Sequence, residues 1–481
     1  MSFRQAFAAS TLLALTPLQS QTPINLNVAA VDGAGRPVSG LRAGDFQVFD
    51  GGKPRAIVWF HPIAATDQSD FAPATFILLD LLNADAVPGW KTADRDSILT
   101  KLSGRIADAL EQFDPRGRVY LYLLTPNAQI VAVHGVEPAG TKPVPGSEWA
   151  RRVRPMLEAA LRETPGPGPM FFLLPIVRME PTWRALTAMI PQMAEVPGPK
   201  SFVWISQGVP SLNLEAWRRR RVRVAAPSLQ EFAAGLNAVG TAAYGVHQPE
   251  QIDMFQFSGN VDSPLEALKR LSELTGGRTY MTDDVTPKAI RDATSDASVV
   301  NYRIAFLADR PDRKYRKIRV VAAREGIKVQ SAECYDADLP ASAAPLEGAI
   351  ENAVALSPFH HPDIGFTATA ATVPGSPDAY RFSLELDPRD MMLLKDGARY
   401  QGSLDIVLVE ISSRGERHMI PAKTADVQLS EQEYADALNH RLDITREANL
   451  DAQTRQVRVV VFDRKSSLSG TLTVALPSTE K

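Results

Sequence analysis

Asp80 closes the apolar run Ala74-Thr-Phe-Ile-Leu-Leu-Asp80-Leu-Leu-Asn83. A carboxylate at the carboxyl end of a buried strand lies where open α/β sheets place their ligands. Two chemistries suit it, holding a divalent cation or facing a partner. A plainer role, capping the loop that follows, is common for Asp. Two other groups of residues have types suited to acid–base or metal chemistry: His360-His361 with Asp363, and Asp283-Asp284. Adjacent histidines on a strand point to opposite faces, so the first group disperses. The second precedes Thr286-Pro287 and reads as the N-terminal region of a helix, where acidic side chains are favoured. No Gly-x-Ser-x-Gly, His-Glu-x-x-His or phosphate-loop pattern accompanies either group. The residues therefore favour a non-enzymatic role, with no catalytic assignment. A hydrolase built on one of these groups is the alternative, and an envelope scaffold without ligand is a third reading.

Composition narrows the partners. The chain has 481 residues, 44% hydrophobic and 22% charged, with a formal net charge of −3. That is ordinary globular composition, and it supplies no overall positive field for nucleic acid. The one dense basic run, Trp217-Arg-Arg-Arg-Arg-Val-Arg223, has no interleaved aromatics and reads as a solvated loop or helix end. Cys334 is the single cysteine, which excludes an internal disulfide and a Cys-x-x-Cys zinc site. Residues 1–20, with Arg4 before the apolar run Ala6 to Leu15 and a polar Thr16 to Ser20 end, have the layout of a secretory signal peptide. No later segment is long and apolar enough for a membrane helix, so the expectation is a periplasmic or secreted protein.

The elements that must position Asp80 follow from periodicity. Strand and helix patterns alternate from Thr75 to Ala297, which argues for an α/β fold with a doubly wound, mostly parallel sheet. Ser263-Pro-Leu-Glu266 reads as a capping box, and Gly276-Gly277 as the stop of the helix it opens. Residues 22–72 alternate in short β runs with Asp50-Gly-Gly52 as a turn, a unit too small to bury a core alone. It is expected to pair with the strands of residues 299–336, on either side of an α/β domain at 73–298. A linker and short helix at 337–356 lead to a β-sandwich at 357–481.

Several stretches in order resemble the von Willebrand factor A (VWFA)-related domain proteins of acidobacteria. They are Val31-Asp-Gly-Ala-Gly-Arg-Pro-Val-Ser-Gly-Leu41, Asp50-Gly-Gly-Lys53, Leu78-Leu-Asp-Leu-Leu-Asn83, Pro197-Gly-Pro-Lys-Ser-Phe-Val-Trp-Ile-Ser-Gln-Gly208 and Leu274-Thr-Gly-Gly-Arg278. The resemblance implies a von Willebrand A, Rossmann-like sheet and a metal-dependent adhesion site in which Asp-x-Ser-x-Ser, a Thr and a second Asp hold Mg²⁺. Here Asp80 keeps the first position, Leu82 and Ala84 replace the serines, and Gln207 stands in place of the late Asp. Asn83 and Thr125 are the remaining implied oxygens, with Asp85 an auxiliary. The set is degenerate, and Mg²⁺ wants six well-placed oxygens, so the expectation is no cofactor beyond weakly bound Mg²⁺. The function it implies is protein interaction or adhesion through a face carrying Asp80, Asn83, Asp85 and Gln207, toward a protein or other macromolecular partner.

Overall fold

The computed structural model describes residues 23–63, 73–83, 92–111, 118–136, 146–163, 175–212, 228–247, 261–281, 285–308, 315–336 and 344–477. Residues 1–20, expected to be a signal peptide, together with Ala84, Asp85, Asp283-Asp284 and the basic run at 217–223, lie outside these residues.

A six-stranded sheet lies at the middle of the chain. Its strand order is Thr279–Tyr280, Thr241–His247, Lys200–Ser206, Ala74–Asp80, Arg118–Leu124, Ile130–His134. The first five run parallel, and Ile130–His134 returns antiparallel through the turn at Thr125-Pro-Asn-Ala128. Both faces are apolar, which explains unbroken runs such as Phe76-Ile-Leu-Leu79. On one face Ile77, Leu79, Val203 and Ile205 pack on Ile106, Val153 and Ile290 of the helices Thr92–Glu111, Gly146–Glu163 and Thr286–Val299. On the other, Phe76, Leu78, Phe202 and Trp204 meet Trp183, Met193, Phe232 and Leu268 of the helices Pro175–Thr187, Ile190–Glu195, Leu229–Ala238 and Pro264–Thr275.

Antiparallel sheets make up the rest. Pro23–Val31 pairs with Val300–Leu307 and Lys328–Gln330, and Ile57–Pro62 completes that four-stranded sheet. A second one, Cys334–Asp336, Tyr315–Ala322, Phe46–Asp50 and Lys53–Arg55, packs on it around Val28, Phe46, Tyr302, Phe306 and Tyr335. Near the C-terminus, Phe366–Val373, Ser376–Leu386 and Leu442–Asn449 form one sheet. The other contains Leu394–Asp396, Arg399–Ser412, Arg417–Ser430, Thr454–Asp463 and Ser469–Ala475. They meet face to face over Phe382, Leu384, Leu404, Ile406, Val459 and Val461. The alternate residues Val407, Val409 and Val460 point the other way, joining Ile350 and Val354 of the helix Glu347–Leu356 in the core beside the central sheet.

The expectation of a doubly wound, mostly parallel α/β fold is therefore corrected. Among the described residues five of the six sheets are antiparallel throughout and the sixth is mixed. The physical reason is local: most strands outside residues 74–280 are joined to a neighbour by a short turn, and short turns join only antiparallel strands. Strand–helix alternation in one stretch does not carry over to the whole chain.

Candidate functional site

Asp80 sits at the carboxyl end of the central strand, 2% exposed. Alternation along the strand puts it on the same face as Phe76 and Leu78. The register Leu78↔Trp204 and Leu79↔Ile205 sets Trp204 beside Leu78 and brings Ser206 of the neighbouring strand level with Asp80, on the same face. Trp204 Nε1 donates to Asp80 Oδ2 at 3.1 Å and Ser206 Oγ donates to the same oxygen at 2.7 Å. Asn83 donates twice, from its backbone N to Oδ1 at 2.9 Å and from Nδ2 to Oδ2 at 2.8 Å. The first of these reaches the backbone three residues on and folds Leu81–Asn83 back over the strand end.

The helix Pro175–Thr187 holds the same loop from outside. Arg178, 4% exposed, donates to the Leu82 carbonyl at 2.9 Å. Asn83 Nδ2 also donates to Thr182 Oγ1 at 3.0 Å, and Thr182 Oγ1 donates to the Arg178 carbonyl at 2.8 Å. On the far side Ser206 Oγ accepts from Gly208 N at 2.8 Å, so Asp80 anchors the ends of two strands together. Burial pushes the Asp80 carboxyl above its ordinary value, and the donors from Asn83, Ser206 and Trp204 pull it back.

This geometry does not fit a Mg²⁺ site. Magnesium demands near-octahedral oxygens at about 2.0–2.1 Å. Asp80 already accepts four hydrogen bonds, Asn83 turns its NH₂ toward the carboxylate, and Leu82 is fully buried and apolar. Thr125 lies in the neighbouring hairpin turn, where its hydroxyl accepts from Gln129 N at 3.2 Å. Asn83 Oδ1 is the one acceptor of this set left without a hydrogen bond among the described residues. The structure thus brings Asp80 and Asn83 together, leaves Thr125 engaged elsewhere, and places Gln207, half-buried, just past Ser206. Asp80 and Asn83 are also corrected as members of a partner-binding face: at 2% and 1% exposure they brace the surface from beneath. The sequence reading missed Ser206, Trp204, Thr182 and Arg178. Ser206 and Trp204 were findable by lining up the two strand ends, since residues two apart share a face. Thr182 and Arg178 carry no local signal.

The two histidines of the alternative reading are held by different partners. His361, 3% exposed, has Nε2 3.1 Å from the Glu195 carbonyl and Nδ1 3.2 Å from Ser469 Oγ. A carbonyl only accepts, so Nε2 carries the proton and Nδ1 accepts from the serine. Burial, with Arg458 and Lys200 adding repulsion, lowers the imidazole to about 3. His360 Nδ1 is instead 3.2 Å from Thr471 Oγ1, and among the described residues Asp363 hydrogen-bonds to neither ring.

No family model and no curated protein matches this chain. Among solved structures, the pilus adhesin SpaC from Lactobacillus rhamnosus GG aligns over 91% of this chain and 58% of its own, at 7% identity and a TM-score of 0.30. The Pseudomonas fluorescens alkylpurine DNA glycosylase AlkC bound to DNA containing an abasic site analog aligns over 79% and 98%, at 10% identity and a TM-score of 0.15. The chain spans little more than half the length of the adhesin it aligns with, and neither likeness is close enough to carry an argument about fold or function. Among the described residues no helix is long and apolar enough to cross a membrane.

Proposed function

We propose that this chain is a non-enzymatic, exported interaction module that offers the surface at the carboxyl end of its mixed sheet, around Gln207, to a protein or other macromolecular partner. Kinship with the VWFA-related proteins belongs to the proposal and rests on the order of the sequence motifs. The observation that carries the reading is Asp80: its carboxylate is consumed by four internal donors, so the residue that would begin a cation or acid–base site instead fixes the loop beneath that surface. Cavity size favours it at His361, and the lining favours it at the larger groove. Small-molecule sites are typically about 300–1,000 Å³. The cavity beside His361 is about 30 Å³. A larger groove of about 540 Å³, over Phe46, Val48, Pro54 and Ile57, has Arg55 as its one charged side chain, and Arg55 is tied to Asp50 at 2.9 Å.

A photo-crosslinking residue at position 207, carried by the chain in its native envelope or secreted fraction, tests this. The expected result is one macromolecular adduct that is lost on moving the probe to the exposed strand Arg417–Ser430. Adducts from that strand and none from position 207, or turnover of an ester, phosphate or glycoside abolished by His361→Gln, would overturn it.

A further inference from the structure

At the opposite end of the central sheet, three parts of the chain converge on the cavity of about 30 Å³, and they bring charge with them. Lys200 opens the strand Lys200–Ser206 and is 6% exposed. Its Nζ donates to the carbonyls of Val196 at 2.7 Å and Gly198 at 2.8 Å, which uses two of its three protons. Arg303, from the strand Val300–Leu307, reaches Ser466 O at 3.5 Å and lies so close over Gly240 that a Cβ there would sit 2.5 Å from Nη2. From the C-terminal sheets come His361, Asp363, Ser467 and Ser469.

The charges do not cancel. Burial keeps His361 neutral by lowering its imidazole to about 3, so below about pH 7 the lining holds two cations against one carboxylate. Asp363 acts on Lys200 and Arg303 through space, with no direct ion pair among the described residues. A buried cation without a paired anion is unfavourable, and both cations line a space of defined size. One water-sized sphere needs about 10–15 Å³, so a cavity of about 30 Å³ admits at most two or three such spheres and excludes an organic acid.

We propose that Lys200 and Arg303 hold a single monovalent inorganic anion of halide size in this cavity, where it ties the central sheet to the flanking antiparallel sheets. The hydroxyl of Ser467 supplies a neutral donor, while that of Ser469 is spent on His361 Nδ1. Lys200 agrees with the assignment, since burial without a paired anion pulls its ammonium down to about 7, against the opposing pull of Asp363. Arg303, Arg118 and Asp363 are the other charges acting on it, and His361 lines the same cavity.

Thermal unfolding of the full chain in sodium chloride and in sodium isethionate at equal ionic strength tests the site. Chloride is expected to raise the Tm by about 2–4 °C over isethionate, the shift expected at a few times the dissociation constant in a domain of this size class. The difference is expected to be larger at pH 6 than at pH 9, where Lys200 has lost its proton, and absent in Arg303→Met. Should that variant fail to fold, a bromide-grown crystal of the wild type decides: an anomalous peak between Lys200 and Arg303 supports the site. Equal Tm values in the two salts with no bromide peak would mean water only, and would overturn it.

Discussion

The Asp80 carboxylate is a buried acceptor whose partners cannot turn to water. Asp80→Ala leaves Trp204 Nε1, Ser206 Oγ and two Asn83 donors without their acceptor. Unsatisfied buried donors cost about 1–3 kcal/mol each, partly relieved by relaxation, so a loss of about 3 kcal/mol is expected in urea unfolding. Asp80→Asn should lose less, because it keeps one acceptor oxygen. The sign with pH follows from the raised carboxyl. The folded state holds the proton more tightly than the unfolded chain, so this group's contribution is full below about 3.8 and declines as pH rises through the folded value. The gap between wild type and Asp80→Asn should therefore narrow from pH 4 toward neutrality. A gap that widens would contradict a desolvated carboxylate. At this scale the sequence showed where the carboxylate stands, since an apolar run ending in Asp is a local signal. It did not show what the carboxylate does, because its partners come from a strand about 125 residues away and a helix about 100 away.

Elements depend on their ends. The helix Pro264–Thr275 starts at Ser263, whose Oγ accepts from Glu266 N at 3.2 Å, while Glu266 turns to Lys269 at 3.2 Å; half of the expected capping box forms. The reciprocal box appears instead at Ser430 and Glu433, and Ser430→Ala should destabilise the helix Glu431–His440 by about 1 kcal/mol. The stop at Gly276-Gly277 is stricter. Gly276 adopts φ +83°, and a Cβ on Gly277 would fall 1.8 Å from the Ala243 carbonyl oxygen. Gly277→Ala must push the strand Thr241–His247 away, and a loss of at least about 3 kcal/mol is expected by calorimetry; a loss under about 1 kcal/mol would show that the backbone yields there. Both glycines were legible as a helix end. The close approach was not, because it depends on which strand lies beneath the turn.

Across the whole molecule, stability depends on the junction where the central sheet meets the C-terminal sheets. His361 titrates near 6.5 when unfolded and near 3 when folded, so its contribution is complete above about 6.5 and is lost as pH falls toward 3. Each unit of pH in that window removes up to about 1.4 kcal/mol. His361→Asn should flatten this acid limb of the stability curve, and an unchanged limb would assign it to other groups. Alternation of strand and helix between Thr75 and Ala297 reads as a doubly wound, mostly parallel α/β fold, which the antiparallel and mixed sheets of the described residues contradict. The pairing of Pro23–Val31 with Val300–Leu307 bridges about 270 residues, and no local periodicity encodes it. The account rests on Asp80 as an internal brace, and metal-dependent calorimetry tests that most directly. Millimolar Mg²⁺ or Mn²⁺ is expected to leave the Tm of wild type and of Asp80→Asn unchanged. A rise of several degrees in the wild type that Asp80→Asn abolishes would contradict the account and make Asp80 a cation ligand.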